Sequence, residues 1–190
     1  SKVLKDDKIP FMVGGEHLIS YGSIKAIHEK YPDLHVIHLD AHTDSRDEYM
    51  GEKYSHATVI RRCWDFLGDG KIYQFGIRSG SKEEFVWSKD HTYMEKYSMN
   101  TLNEIVDKLK NVPVYITIDL DILDPSIFCG TGTPEPGGIT FKEIMDGIKE
   151  FEKLNVVGGD IVELSPNYDT SGASTATACK ILREFVLTMV

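Results

Sequence analysis

Short, nearly continuous apolar runs alternate along this chain with longer segments whose hydrophobic positions recur at helical spacing. The runs predict strands at Ile9–Val13, Leu34–Leu39, Lys71–Phe75, Val112–Ile118 and Val156–Leu164. The segments between them predict helices at Leu18–Lys30, His56–Phe66, Lys82–Lys89, Thr101–Leu109, Thr140–Lys153 and Ala173–Met189. Strands that are apolar throughout are buried on both faces. The expectation is therefore an α/β fold of three layers, a parallel sheet with helices on both faces. Thr140 with Glu143, and Thr101 with Glu104, have capping-box spacing and predict two helix starts. Pro113 stands at a strand entrance, where its missing N–H costs least. No repeat, low-complexity tract or linker interrupts the pattern, so residues 1–190 read as one domain.

Composition narrows the partners. A net charge of −9 argues against nucleic acid and suits a small cationic substrate. The three cysteines form no CxxC pair and their odd number opposes a disulfide framework, which makes a reducing cytoplasm the expected location. No apolar run approaches the ~20 residues of a membrane span, so no membrane partner is expected. The opening SKVLKDDKIP lacks an initiator Met and reads as the tail of a helix or loop. The chain therefore reads as a fragment or as a precursor cut here, with an N-terminal portion expected to be absent.

Polar residues break the apolar pattern where strands end. In 38-HLDAHTD-44, Asp40, His42 and Asp44 share one parity, so a backbone extended past Leu39 would aim all three to one side. Alone, the stretch fits a solvated acidic turn as well as a site. In 115-YITIDLDILDP-125, Asp119 and Asp121 repeat the spacing, and carboxylates this close require a cation or a buried partner. Asp124, before Pro125, predicts a turn instead. In 11-FMVGGEH-17, a strand runs through two glycines to His17.

Ligands of such sheets bind beyond the carboxyl ends of the strands. Three of those ends supply two histidines and four aspartates. Nitrogen and oxygen donors without thiolate favour an ion such as Mn²⁺ over structural zinc. Six donors exceed what one open catalytic ion needs, and suit two ions bridged by shared carboxylates, as in metal-assisted hydrolysis. His56, in 54-YSHAT-58, could move a proton to a leaving amine, and Glu163, in 160-DIVELSP-166, could pair with a planar guanidinium. Read singly, they are equally a helix-start histidine and a salt-bridged glutamate.

GGEH at 14–17, DAHTD at 40–44, SHAT at 55–58, IDLDILDP at 118–125, GTGTPEPGG at 130–138 and VELSP at 162–166, in this order, resemble the ureohydrolase family of arginases and agmatinases. The resemblance implies an arginase-like fold and hydrolysis of a guanidino compound to urea and an amine at a centre of two Mn²⁺ per chain. It implies one ion on His17, Asp40, Asp44 and Asp119, and another on His42, Asp40, Asp119 and Asp121. His56 matches the proton-shuttle position and Glu163 the carboxylate that orients the guanidinium, with a metal-bridging hydroxide as the attacking group.

Within the family the stretches at 44–62 and 165–184 look most like agmatinases. Arg46 stands where arginases usually carry an Asn that helps bind the substrate's α-carboxylate, and it joins Glu163 as a substrate-binding candidate. The implied substrate is agmatine and the product putrescine, a step of polyamine biosynthesis. Arginine, guanidinobutyrate and aminopropylagmatine remain alternatives, as does an inactive member of the family. A two-metal phosphohydrolase is disfavoured because the prolines of GTGTPEPGG remove amide donors. The resemblance also implies a homo-oligomer, a trimer or hexamer.

Overall fold

All five predicted strands form, and every pairing is parallel. The computed structural model describes residues 2–189. It places β1 (Phe11–Val13), β2 (His35–Leu39), β3 (Ile72–Ile77), β4 (Tyr93–Lys96), β5 (Pro113–Asp119) and β6 (Asn155–Val162) in the order β1-β6-β5-β2-β3-β4. The helices are α1 (Lys2–Lys5), α2 (Ile19–Lys30), α3 (Val59–Leu67), α4 (Lys82–His91), α5 (Leu102–Leu109), α6 (Phe141–Glu150) and α7 (Ala173–Thr188).

Strand alternation sorts the core into two layers. Ile37 and Leu39 of β2, with Val114, Ile116 and Ile118 of β5, pack under α5, α6 and α7. Val36 and Tyr115, of the opposite parity, pack under α2 and α3. This is the expected three-layer arrangement. Gly158 allows the close approach on the second face, because a Cβ there would lie 2.3 Å from the Ile27 side chain.

Three expectations need correction. The strand β4 was not anticipated, because YMEK is a short, half-exposed edge strand whose charges hide its period and protect the edge. Thr101 makes no side-chain cap on α5; the Glu95 carboxylate of β4 accepts both its amide and its hydroxyl instead. The segment predicted as one helix from Thr140 to Lys153 ends as α-helix at Glu150 and tightens into a 3₁₀ turn over Phe151–Lys153. The Thr140–Glu143 capping box does form, as does a second, unanticipated one between Ser81 and Glu84.

Topology fixes where a site belongs. From β2 the chain moves outward to β3 and β4, and from β5 it moves the other way to β6. Neighbouring strands β2 and β5 therefore flank a switch point, and the crevice above their carboxyl ends is where open α/β sheets hold ligands. Asp40 follows the last residue of β2, and Asp119 is the last residue of β5.

Candidate metal centre

The six predicted ligand positions converge at that crevice. His17 arrives from the turn after β1, where Gly14 (φ +63°) and Gly15 (φ +113°) take left-handed conformations that a side chain would resist. Its Nδ1 lies 3.1 Å from Asp40 Oδ2, 3.2 Å from Asp44 Oδ2 and 3.2 Å from Asp119 Oδ2. Beside this group, His42 Nδ1 lies 3.0 Å from Asp121 Oδ2 and 3.5 Å from Asp40 Oδ1. The two oxygens of Asp40 thus face different groups. Asp119 turns Oδ2 to the first group, while its Oδ1 accepts the Asp121 amide at 2.9 Å.

The convergence does not come from an extended backbone alone. Past Leu39, His42 still bridges Ser79 in strand fashion, but Asp44 turns into the left-handed region at φ +47°. Asp121 lies in a 3₁₀ turn, Leu120–Ile122, rather than on β5, and the Asp119 side chain caps that turn. Parity alone does not describe either residue. Asp124 does shape a turn, its carboxylate accepting the amides of Ser126, Gly137 and Gly138.

Beneath the carboxylates runs a row of polar side chains at matched register: Gln74 on β3, His38 on β2, Thr117 on β5 and Asp160 on β6. Their hydrogen bonds fix two histidine tautomers. Gln74 Nε2 faces the Thr43 carbonyl at 2.9 Å, which only a donor satisfies, so the same amide donates to His38 Nδ1 at 3.1 Å. His38 then carries its proton on Nε2 and donates it to Asp40 Oδ2 at 2.7 Å. Likewise the Thr117 hydroxyl gives its one proton to Asp160 Oδ1 at 2.6 Å, and so accepts from His17 Nε2 at 2.9 Å. That leaves Nδ1 as the His17 atom directed at the three carboxylates. Fixing a ligating histidine through its second nitrogen is what metal sites require.

Sequence reading passed over this row. His38 shares the parity of Asp40, His42 and Asp44 and was legible from it. The signal for Gln74, Thr117 and Asp160 is a polar residue in the buried stretch of a mostly apolar strand.

Electrostatics mark the crevice as short of positive charge. Burial raises Asp119 well above the usual carboxylate range, and the nearby Asp121 and Asp40 raise it further. Burial and Asp40 bring Asp44 up to about 7. Burial also acts to raise Asp40, but His38, His17 and His42 outweigh it and hold its carboxyl well below the usual range. For His42 burial works downward, and hydrogen bonds to Asp121 and Asp40 overcome it to about 12.

The remaining predicted residues line the cavity of about 330 Å³ above the carboxylates. Glu163, just past β6 at φ +64°, accepts the His17 amide through Oε1 at 2.8 Å. Burial raises its carboxyl above the ordinary range. His56 stands at the rim with its side chain 45% exposed, edge-on to Tyr49 at 5.4 Å and 4.0 Å from the Glu16 carboxylate. It opens a 3₁₀ turn, His56–Thr58, that precedes α3, with the Ser55 amide donating to Thr58 Oγ1 at 2.9 Å. Arg46 is not free. Its Nε donates to the buried Glu84 carboxylate at 3.2 Å, and its guanidinium lies 5.0 Å above the Tyr49 ring.

Comparison with known proteins gives this geometry its setting. The arginase family model matches residues 1–188. An agmatinase of Bacillus cereus is 50% identical over 98% of this chain, which spans 66% of that protein's length. A guanidinobutyrase of Pseudomonas aeruginosa is 33% identical over 97% of the chain and 62% of its own length. The crystal structure of an agmatine ureohydrolase of Thermoplasma volcanium superposes with a TM-score of 0.86 at 38% identity, covering 99% of this chain and 64% of that one.

Proposed function

The chain belongs to the arginase family, and from that premise we propose that it hydrolyses the guanidinium group of agmatine to urea and putrescine with two Mn²⁺ per chain. The observation that carries this reading is the position of His17 Nδ1. It is buried, lacks a hydrogen-bond partner, and is surrounded by three carboxylate oxygens at 3.1–3.2 Å. Groups that could hold a cation form around His17, His38, Asp40 and Asp44 and around Asp40, His42 and Asp121, and Asp119 Oδ2, 3.2 Å from His17 Nδ1, stands beside the first. The donors are nitrogen and oxygen only, a set that suits Mn²⁺. His17, Asp40, Asp44 and Asp119 would hold one ion. Asp40, His42, Asp119 and Asp121 would hold the other, with Asp40 offering one oxygen to each. A bound pair of such ions supplies an acidified water and electrostatic stabilisation of the charge that develops on attack.

The chain's own residues do the rest. With Oε1 fixed by the His17 amide, Glu163 presents the carboxylate that a planar guanidinium pairs with, and so orients its carbon over the crevice. The reaction adds water across one C–N bond, and the departing nitrogen needs a proton as that bond breaks. His56 lines the cavity with its side chain partly exposed, which supports a role in exchanging that proton with solvent.

Selectivity follows from the cavity wall. Arg46 is the lysine-or-arginine side chain that lines it among the described residues, and Glu84 neutralises it. A substrate tail bearing a carboxylate therefore meets no unpaired lysine or arginine there, which favours agmatine. Arg46 still gives guanidinobutyrate a place as second reading, should the pair open. The test is urea release with Mn²⁺ from agmatine, arginine and guanidinobutyrate compared by kcat/KM. Agmatine is expected to lead; a preference for arginine overturns the substrate assignment.

A further inference from the structure

Arg78, at the end of β3, places its guanidinium under the crevice, and all its side-chain hydrogen bonds go to main-chain carbonyls. Nη2 donates to Asp121 O at 2.8 Å, Glu135 O at 2.8 Å and Leu123 O at 3.4 Å. Nη1 donates to Gly76 O at 3.0 Å and Ile122 O at 3.2 Å, and Nε to Glu135 O at 3.1 Å. Its own amide donates to Ala41 O at 2.8 Å, between Asp40 and His42. The side chain therefore ties together the end of β3, the turn that carries Asp121 and the loop around Glu135, while the residue's own amide holds the end of β2.

The tie answers a local problem. The Leu120–Ile122 turn is a single 3₁₀ turn that no helix continues, so its carbonyls need donors from elsewhere. It packs against β3 at Gly76, where a Cβ would lie 2.5 Å from Ile122 Cγ1. A guanidinium offers five N–H donors in a flat, rigid fork, while an ammonium offers three from one point. Only the fork reaches five carbonyls on two sides at once.

We propose that Arg78 is the positioning residue for the second cation group, holding the Asp121 turn and the Glu135 loop so that Asp40, His42 and Asp121 keep their spacing. The first group shares Asp40 with the second, but no side-chain bond of Arg78 reaches His17, Asp40, Asp44 or Asp119, so the larger effect falls on the second. This inference rests on the dinuclear reading above, and the experiment separates the two.

Arg78→Lys and Arg78→Gln are compared with the unaltered chain by Mn²⁺ equilibrium dialysis and by amide hydrogen exchange without metal. The second ion is expected to weaken about 10–100-fold, the usual effect of losing outer-shell support, with the first retained within about twofold. Exchange should quicken in residues 120–124 and 135–139 and stay unchanged in residues 35–39. Equal affinities in variant and unaltered chain, or equal weakening of both ions, overturn the proposal. So does failure of both variants to fold, which would make Arg78 a residue of the fold as a whole. If the unaltered chain binds fewer than two ions, the dinuclear reading fails; exchange then decides the tether alone, and unchanged exchange in the variants overturns it.

Discussion

Nδ1 of His17 lies 3.1 Å from Oδ2 of Asp40, although two strands, β6 and β5, separate the strands that deliver them. Both side chains are buried, and Asp44 and Asp119 close on the same nitrogen. Carboxylates gathered this tightly out of water need positive charge between them. Thr117 and His38 hold the pair from below, through His17 Nε2 and Asp40 Oδ2.

Replacing Asp121 with Ala should remove one ion and leave the fold. Asp121 contributes to the second group, while Leu120 and Ile122 beside it stay buried in the core. Metal analysis is expected to show one Mn²⁺ per chain instead of two, with urea release down more than about 100-fold, beyond the loss typical of outer-shell changes. Retention of two ions would remove Asp121 from the ligand set.

His56→Ala should slow turnover about 10²–10⁴-fold, the range of general acid–base catalysis, with both ions still bound. His56 stands at the rim, and none of its contacts is with the carboxylates of the centre. An emptied site in this variant would contradict the proton-transfer role.

Much of the centre was legible because its residues stand where apolar runs stop, and ligand positions in a parallel sheet are strand ends. What was not legible depends on contacts distant in sequence. Asp121 shares parity with Asp119 yet sits on a 3₁₀ turn, whose geometry Arg78 supports from the end of β3. The neutralisation of Arg46 by Glu84 joins residues 38 positions apart. Thr101 matched a capping pattern, but a carboxylate from β4 took its donors. Edge strands such as β4 escape notice because half exposure erases their period.

Substrate preference should shift when Arg46 is released. Glu84→Gln removes the charge that holds Arg46, and kcat/KM for guanidinobutyrate relative to agmatine is expected to rise at least about tenfold, worth about 1.4 kcal/mol. Ser81→Ala, which breaks the α4 capping box and leaves the ion pair, should leave the ratio unchanged. A ratio unmoved by Glu84→Gln would show that Arg46 does not govern the substrate tail.

Stability should carry a pH dependence from His35, far from the crevice at the start of β2. Burial, then the Lys71 ammonium 3.1 Å away, pulls His35 from 6.5 to about 4. As pH falls through that window the unfolded chain takes up the proton first, so stability is full above about 6.5 and declines toward about 4. Denaturant midpoints measured across this range should fall less steeply in His35→Gln. Identical slopes would contradict the assignment.

The dinuclear reading is tested most directly by returning Mn²⁺ to the metal-stripped chain and following urea release from agmatine against ions bound. The expected result is no urea from the stripped chain and recovery as occupancy approaches two per chain. Urea release without metal, or none with two ions bound, would contradict it.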